Sequence, residues 1–426
     1  MENNRPSTSP SAGRADVAPA LRRHDASLYI VASGLGGLGL GIALFYLNFL
    51  YRALGFDARA IGVLGGAQAL GALAGALPAA FLPRRMPRRN AIFIGGCVTA
   101  LGVIGILTQT ALPALFIAAA FTGCGGIIVA SSGSALVADA TTGFDRPRMF
   151  GQQVALGALA SFAAIAIAGA LAAPVGAALG LAETDPLTIR TVIGIGGILA
   201  IASAVPILFV RPASVAVGAL DAPHRRSLLL RFVAIEMAFG FGAGSFLPFA
   251  NLFFADRFGL PIAGVGLAIG ALSVAGSVGA ILNGRLIVPR LPPLTAAVLP
   301  VFASLPFALL AAVAGQPLLA WAALALRAAL MYGSTPNFTA LELSSFAPVE
   351  RAGAVAVFAI SWNGASAAGA ALSGVVRAEL GATGYTANLV TLVLSYLVAA
   401  TLLVLFFRTH EPRGDAAAIP SADSAR

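Results

Sequence analysis

Apolar residues run along this chain in long stretches, each closed by arginines, prolines or polar clusters. Cutting at those marks gives spans at about 27–50, 59–82, 91–110, 112–139, 149–176, 189–210, 228–254, 262–288, 294–314, 317–344, 353–376 and 386–407. Each is close to the ~20 mostly apolar residues that carry an α-helix across the hydrocarbon core of a bilayer. They are about twice as long as the ~9–11-residue strand of a membrane barrel and show no alternation. The pattern predicts an all-α membrane protein with twelve transmembrane helices. An N-terminal six-helix bundle occupies 27–210, a short central loop 211–227, and a C-terminal six-helix bundle 228–408. The polar ends, 1–26 and 409–426, read as disordered tails, and the first has no apolar stretch of the kind a signal peptide needs.

Composition narrows the chemistry. Apolar residues make up 58% of the 426 and charged residues only 10%, against about 25% charged in soluble domains, so a soluble enzyme is excluded. All 26 basic residues are arginine. Without lysine there is no phosphate-binding P-loop and no Schiff-base nucleophile, which excludes an ATP-driven pump on this chain. His24, His224 and His410 lie in the tails and central loop, and Cys97 and Cys124 fall inside apolar runs. No metal, cofactor or catalytic centre is expected.

With an even number of spans both tails share a side. That side carries twenty arginines, the other only Arg52, Arg59, Arg190, Arg257 and Arg377, and Arg327 lies within a span. Positive charge collects on the cytoplasmic side, so both termini are expected there. The net charge of +9 follows from this bias, which points to membrane lipid as a partner and gives no reason to expect nucleic acid. The lysine-free, Ala/Gly/Arg-rich composition suggests a bacterium with a GC-rich genome and hence its inner membrane. A monomer is expected.

The halves superimpose with a shift of 204 or 205 residues. Gly55 falls on Gly259, Gly62 on Gly266, and the ladder Ala67, Gly71, Gly75 on Ala271, Ala275, Gly279. Arg85-Met86-Pro87 falls on Arg290-Leu291-Pro292, and Asp145-Arg146 on Glu350-Arg351. Small residues four apart share a helix face and let a neighbour approach closely. A repeat of six spans keeps its orientation, so the halves are related by an axis along the membrane normal.

On these features the chain resembles the major facilitator superfamily over nearly its whole length. The resemblance rests on the two six-helix repeats, the basic loop after helix 2 with its weaker copy after helix 8, and the acid–Arg loops after helices 4 and 10. Pro348-Val349-Glu350-Arg351-Ala352-Gly353, leading into Ser361-Trp362-Asn363, is similar to the helix 10–11 region of many members. One departure is plain: where the family's loop after helix 2 reads Gly-x-x-x-Asp-Arg-x-Gly-Arg-Arg, Arg84 replaces the aspartate and Pro87 the second glycine. The cytoplasmic latch built on that aspartate is therefore not implied.

The resemblance directs attention to helices 1, 4, 7 and 10, which line the family's central cavity. Glu236 in helix 7 and Arg327 in helix 10 stand nearly level, about 12 and 15 Å in from opposite faces. Intramembrane charges are costly and mark ion or substrate paths by default. Glu236 reads as a proton-coupling site and Arg327 as its counter-ion or as an anchor for an anion; a fixed ion pair pinning the two helices is the alternative. Arg231, five residues from Glu236, is a poorer partner. Asn48, Asn251, Ser334, Asn337, Trp362 and Asn363 complete the candidate substrate or coupling-ion set; helix-end bonding for the two outer asparagines, and packing of Trp362 and Asn363 against helix 2, are the plainer readings. Arg85, Asp139, Asp145, Arg146, Arg290, Glu350 and Arg351 form a candidate gating set, with lipid head groups as the plainer role for the arginines.

The expectation is a secondary transporter of a small organic solute, with protons as candidate coupling ion. Few polar cavity positions favour export of a lipophilic or amphipathic compound. An organic-anion carrier and a non-transporting receptor or scaffold of the same fold are the alternatives.

Overall fold

The computed structural model describes residues 17–140, 145–211, 225–287, 290–347 and 350–408. Among these, α1 (Val17–Ala53), α2 (Ala58–Arg85), α3 (Arg88–Thr108), α4 (Leu112–Ala140), α5 (Asp145–Leu179) and α6 (Pro186–Leu208, broken at Ser203) form the first half. The second half is α7 (Arg226–Phe258), α8 (Ile262–Leu282), α9 (Pro293–Val313), α10 (Pro317–Ser344), α11 (Arg351–Leu380) and α12 (Gly384–Phe407). The helices α11 and α12 follow one another through a single 3₁₀ turn, Gly381–Thr383. Within them the stretch Gly353–Phe407 covers 55 residues, far more than one crossing needs, so the described residues hold twelve helices of membrane-crossing length. Val17 and Arg408 accordingly lie at one end of the bundle, the tail end; the opposite end is the far end.

Local chemistry sets the turns. Asp57 caps α2 by accepting the backbone N–H of Ala60 at 2.8 Å, and Asp185 caps α6 by accepting that of Leu187 at 2.8 Å. Gly55 and Gly259, equivalent in the repeat, close α1 and α7 with φ of 85° and 64°, a conformation that favours glycine. The helix α1 starts ten residues before its apolar span, so 17–26, expected in the tail, continue it as helix. Ala18, Ala20, Leu21, Arg22 and Arg23 are strong helix formers.

The halves meet along α2 against α11 and α5 against α8. A Cβ added to Gly62 would lie 2.5 Å from the Cα of Gly374, and one added to Gly266 2.7 Å from the Cα of Gly169. The sequence shift carries Gly62 to Gly266 and Gly169 to Gly374, so the two crossings are mates across the pseudo-twofold axis. With lipid outside, such contacts are held by close packing rather than by exclusion of water. One buried cluster joins both halves through Tyr46, Leu50, Leu64, Phe249 and Phe253 near the far end. At the tail end the first half has a separate cluster, including Tyr29, Ile92, Val137 and Ile207.

Candidate transport site and far-end gate

A break in α7 builds the far-end gate. Leu247–Phe249 form a 3₁₀ turn around Pro248, which lacks an N–H and interrupts the α-helical ladder. The turn brings Asn251 against Asn48 of α1. Asn48 Nδ2 donates to the Pro248 carbonyl at 2.6 Å and to Asn251 Oδ1 at 2.9 Å, while Asn251 Nδ2 donates to the Phe45 carbonyl at 3.0 Å. Each asparagine thus reaches the carbonyl three residues before the other, a reciprocal lock on the pseudo-twofold axis. Both are buried.

Four to five residues further out, Arg52 pairs with Asp256 at 2.5 Å. Asp256 Oδ2 also accepts the Tyr385 hydroxyl at 2.6 Å. Arg59 of α2 pairs with Glu379 of α11. The buried Arg377 guanidinium lies 4.1 Å from the centre of the Phe249 ring, and a Cβ on Gly65 would sit 2.7 Å from that ring. Phe249 is therefore held between α2 and α11, with a glycine on one side and a cation on the other. Hydrogen bonds and ion pairs thus tie the two halves together at this end.

The second half holds the buried charges. Glu236 of α7 and Glu342 of α10 are neighbouring carboxyls, both more than nine-tenths buried, and Glu342 Oε1 has no hydrogen-bond partner. The expected ion pair between Glu236 and Arg327 is not formed: the carboxyl's partner is a second carboxyl near the tail end of α10. Arg327 is 5% exposed, its guanidinium lies 5.1 Å from the centre of the Tyr396 ring, and its Nε and Nη2 have no hydrogen-bond partner. Tyr396 packs edge-on to Phe239, one turn from Glu236. Arg231 turns away, its guanidinium 5.6 Å from the Phe406 ring centre.

Two faces of α10 are distinguished. Ser334 donates to the Ala297 carbonyl of α9 at 2.6 Å, and Asn337 donates to Asn283 Oδ1 at 3.0 Å and to the Ala296 carbonyl at 3.2 Å. These side chains pin α10 to its neighbours. The opposite face carries Tyr332, Thr335, Pro336 and Thr339, all exposed. In α11 the Trp362 backbone lies against Gly240 of α7, and Asn363 bonds the Ala359 carbonyl of its own helix at 2.7 Å. Gly364 faces α2 at Leu73.

At the tail end Arg85 is exposed. Arg290 bonds the Leu286 carbonyl at 2.6 Å, Arg351 that of Phe346 at 3.2 Å, and the buried Glu350 accepts the Ala347 N–H at 3.3 Å. The side chains of Asp139, Asp145 and Arg146 lie outside the described residues. Sequence reasoning missed Glu342, Asp256, Tyr385 and, on the exposed stripe of α10, Tyr332 and Thr335. Glu342 had a legible signal, an acid within the apolar span of a cavity helix.

The family model of the Major Facilitator Superfamily matches residues 29–370. No curated protein sequence matches the chain. Among solved structures it is similar to a mutant of the nucleoside transporter NupG, at 14% identity, a TM-score of 0.72, and 90% of this chain against 100% of that one. A bacterial homolog of the human lysosomal transporter Spinster, inward-facing and unoccupied, matches at 14% identity and a TM-score of 0.73 over 91% and 97%. A bacterial homologue of the iron transporter ferroportin, inward-facing, matches at 14% identity and a TM-score of 0.69 over 90% and 98%.

Proposed function

Because the chain belongs to the Major Facilitator Superfamily, we propose that this multi-pass membrane protein moves a small organic solute by alternating access of its halves, coupled to protons at Glu236 and Glu342. The observation that carries the coupling is the contact between these two buried carboxyls. Two buried carboxyls side by side are costly to ionise together, so the pair favours holding a proton. Removing it sets like charges against one another. That contact joins α7 to α10, and α7 also carries Asn251 and the far-end lock. A proton gained or lost at Glu236 can therefore bias the gate through the two segments of α7 that meet at the Pro248 turn.

A closed far end, a separate tail-end cluster in the first half and the likeness to two inward-facing transporters support a cleft opening at the tail end. The arginine bias makes that end cytoplasmic, in the cytoplasmic membrane of a bacterium, with the protein acting as a monomer. The exposed face of α10 offers one phenol and two hydroxyls beside apolar neighbours, which favours a lipophilic or amphipathic solute taken from the cytoplasmic side and exported. Arg327 supports a second reading: two buried guanidinium nitrogens without partners suit an organic anion.

A thermal-shift panel of lipophilic cations and organic anions selects the probe, since a ligand of the native state raises its melting temperature. Transport of that probe into proteoliposomes under an imposed pH gradient then tests coupling. Glu236→Gln and Glu342→Gln should each abolish gradient-driven accumulation while leaving probe binding. Unchanged pH-driven accumulation in both variants sinks the coupling role. Stabilisation by anions alone, lost in Arg327→Ala, would replace the exporter with an anion carrier.

A further inference from the structure

A cavity of about 510 Å³ lies inside the first half, away from the gate and the buried charges, walled by α1, α3, α4 and α6. Along α3 it runs from Ile92 to Leu107, fifteen residues or ~22 Å of the ~30 Å hydrocarbon core. Its walls are almost wholly apolar. Its lips, Phe93 and Ile104 on α3 with Ile198 and Ile201 on α6, are 47–69% exposed, so the slot opens sideways toward the surrounding lipid.

Glycines keep it open. Gly37, Gly96 and Gly126 line the slot, and a Cβ added to any of them would meet nothing within 4 Å; at Gly194 the nearest atom is 4.0 Å away. The packing glycines of this fold behave oppositely, with Gly62, Gly71 and Gly279 in contact with neighbouring backbone. A helical glycine costs roughly 1 kcal/mol relative to alanine, and here no helix contact accounts for it. At the tail-end rim Arg89, in the first turn of α3, donates to the Val210 carbonyl at 3.3 Å, three residues past the slot wall at Ile207, and Arg211 follows, exposed.

We propose that this slot holds one extended acyl chain of an anionic phospholipid, its head group at Arg89 and Arg211. Acyl chains are everywhere in the bilayer, so the apolar slot alone selects little; the rim charges supply the preference for an anionic head group. The slot's length, reaching past the ~15 Å of one leaflet, suits an extended chain.

Cys97 lines the slot and Cys124 does not, which gives a built-in reporter. In a Cys124→Ala background, the full chain in detergent is alkylated at Cys97 with an apolar maleimide, with added phosphatidylglycerol or phosphatidylcholine. Phosphatidylglycerol should slow alkylation at least fivefold and phosphatidylcholine less than twofold. Arg89→Gln/Arg211→Gln should bring the two lipids to the same rate, while Arg290→Gln on the other half leaves the difference intact. Gly126→Leu fills the slot without touching the rim: it should melt no lower than its parent and lose the phosphatidylglycerol effect. Equal protection by both lipids in the parent, no protection by either, or full protection persisting in Gly126→Leu overturns the proposal.

Discussion

The smallest unit with a consequence for the transport cycle is the asparagine pair. Asn48 and Asn251 each bond the backbone carbonyl that lies three residues before the other, and they bond each other at 2.9 Å. A typical hydrogen bond contributes ~0.5–1.5 kcal/mol, so Asn48→Ala or Asn251→Ala should each cost ~1–3 kcal/mol of the closed state. Because the two act as one unit, the double variant should lose less than the sum of the singles, with a coupling of at least ~0.5 kcal/mol. Denaturant unfolding in detergent measures this, and strict additivity would dissolve the lock into two unrelated bonds. The residue types were legible in the sequence as polar positions near helix ends. Their partnership was not, because a sequence carries no record of which turn of α1 meets which turn of α7. The same blindness allowed a Glu236–Arg327 pair as one reading: helix depth can be counted from a span's ends, but the direction a side chain takes depends on how α8 and α9 pack against α10. Glu342 was passed over because acids are ordinary at helix ends.

Among the elements, two glycine crossings carry the interface between the halves, and symmetry makes them equivalent. A methyl at Gly62 or at Gly266 would sit 2.5–2.7 Å from the partner backbone, closer than atoms tolerate, so α2 must part from α11, or α5 from α8. Gly62→Ala and Gly266→Ala should therefore lower the melting temperature by similar amounts, several degrees each. Gly157→Ala, whose added Cβ meets nothing within 4 Å, should be neutral or stabilising by up to ~1 kcal/mol through helix propensity. Thermal unfolding of the three proteins decides it; a loss at only one crossing would mean that the pseudo-symmetry of the sequence is not shared by the energetics. This scale was the most readable in advance. Span length gave the helices, and the 204–205 shift gave the repeat, because both are properties of neighbours along the chain. The break in α7 was less readable, since a lone Pro in an apolar span can be a kink, a turn or neither until packing selects one.

For the whole molecule, the far-end lock and the tail-end cleft should be two sides of one equilibrium. Rigid rocking of the halves predicts opposite changes at the two ends: releasing the lock must close the tail end as it opens the far one. Ser245, 1% exposed and three residues before Pro248 of the gate turn, and Thr335, exposed on the free face of α10, are suited to test this as single cysteines in a Cys97→Ala/Cys124→Ala background. In the Asn48→Ala/Asn251→Ala protein, alkylation at Ser245→Cys should rise and alkylation at Thr335→Cys should fall. A bias of ~1–3 kcal/mol corresponds to about 5–150-fold in the equilibrium, well within the range such rates resolve. If both sites become more reactive, the variant has loosened the fold rather than shifted it, and the lock is a stabilising contact with no part in access. If Ser245→Cys rises alone, the far end opens locally by melting the α7 turn, and the two halves do not move as bodies. Only opposed changes tie the asparagines, the glycine crossings and the cleft into one transport motion, and adding Glu236→Gln to that background then asks whether the carboxyl pair shifts the same equilibrium.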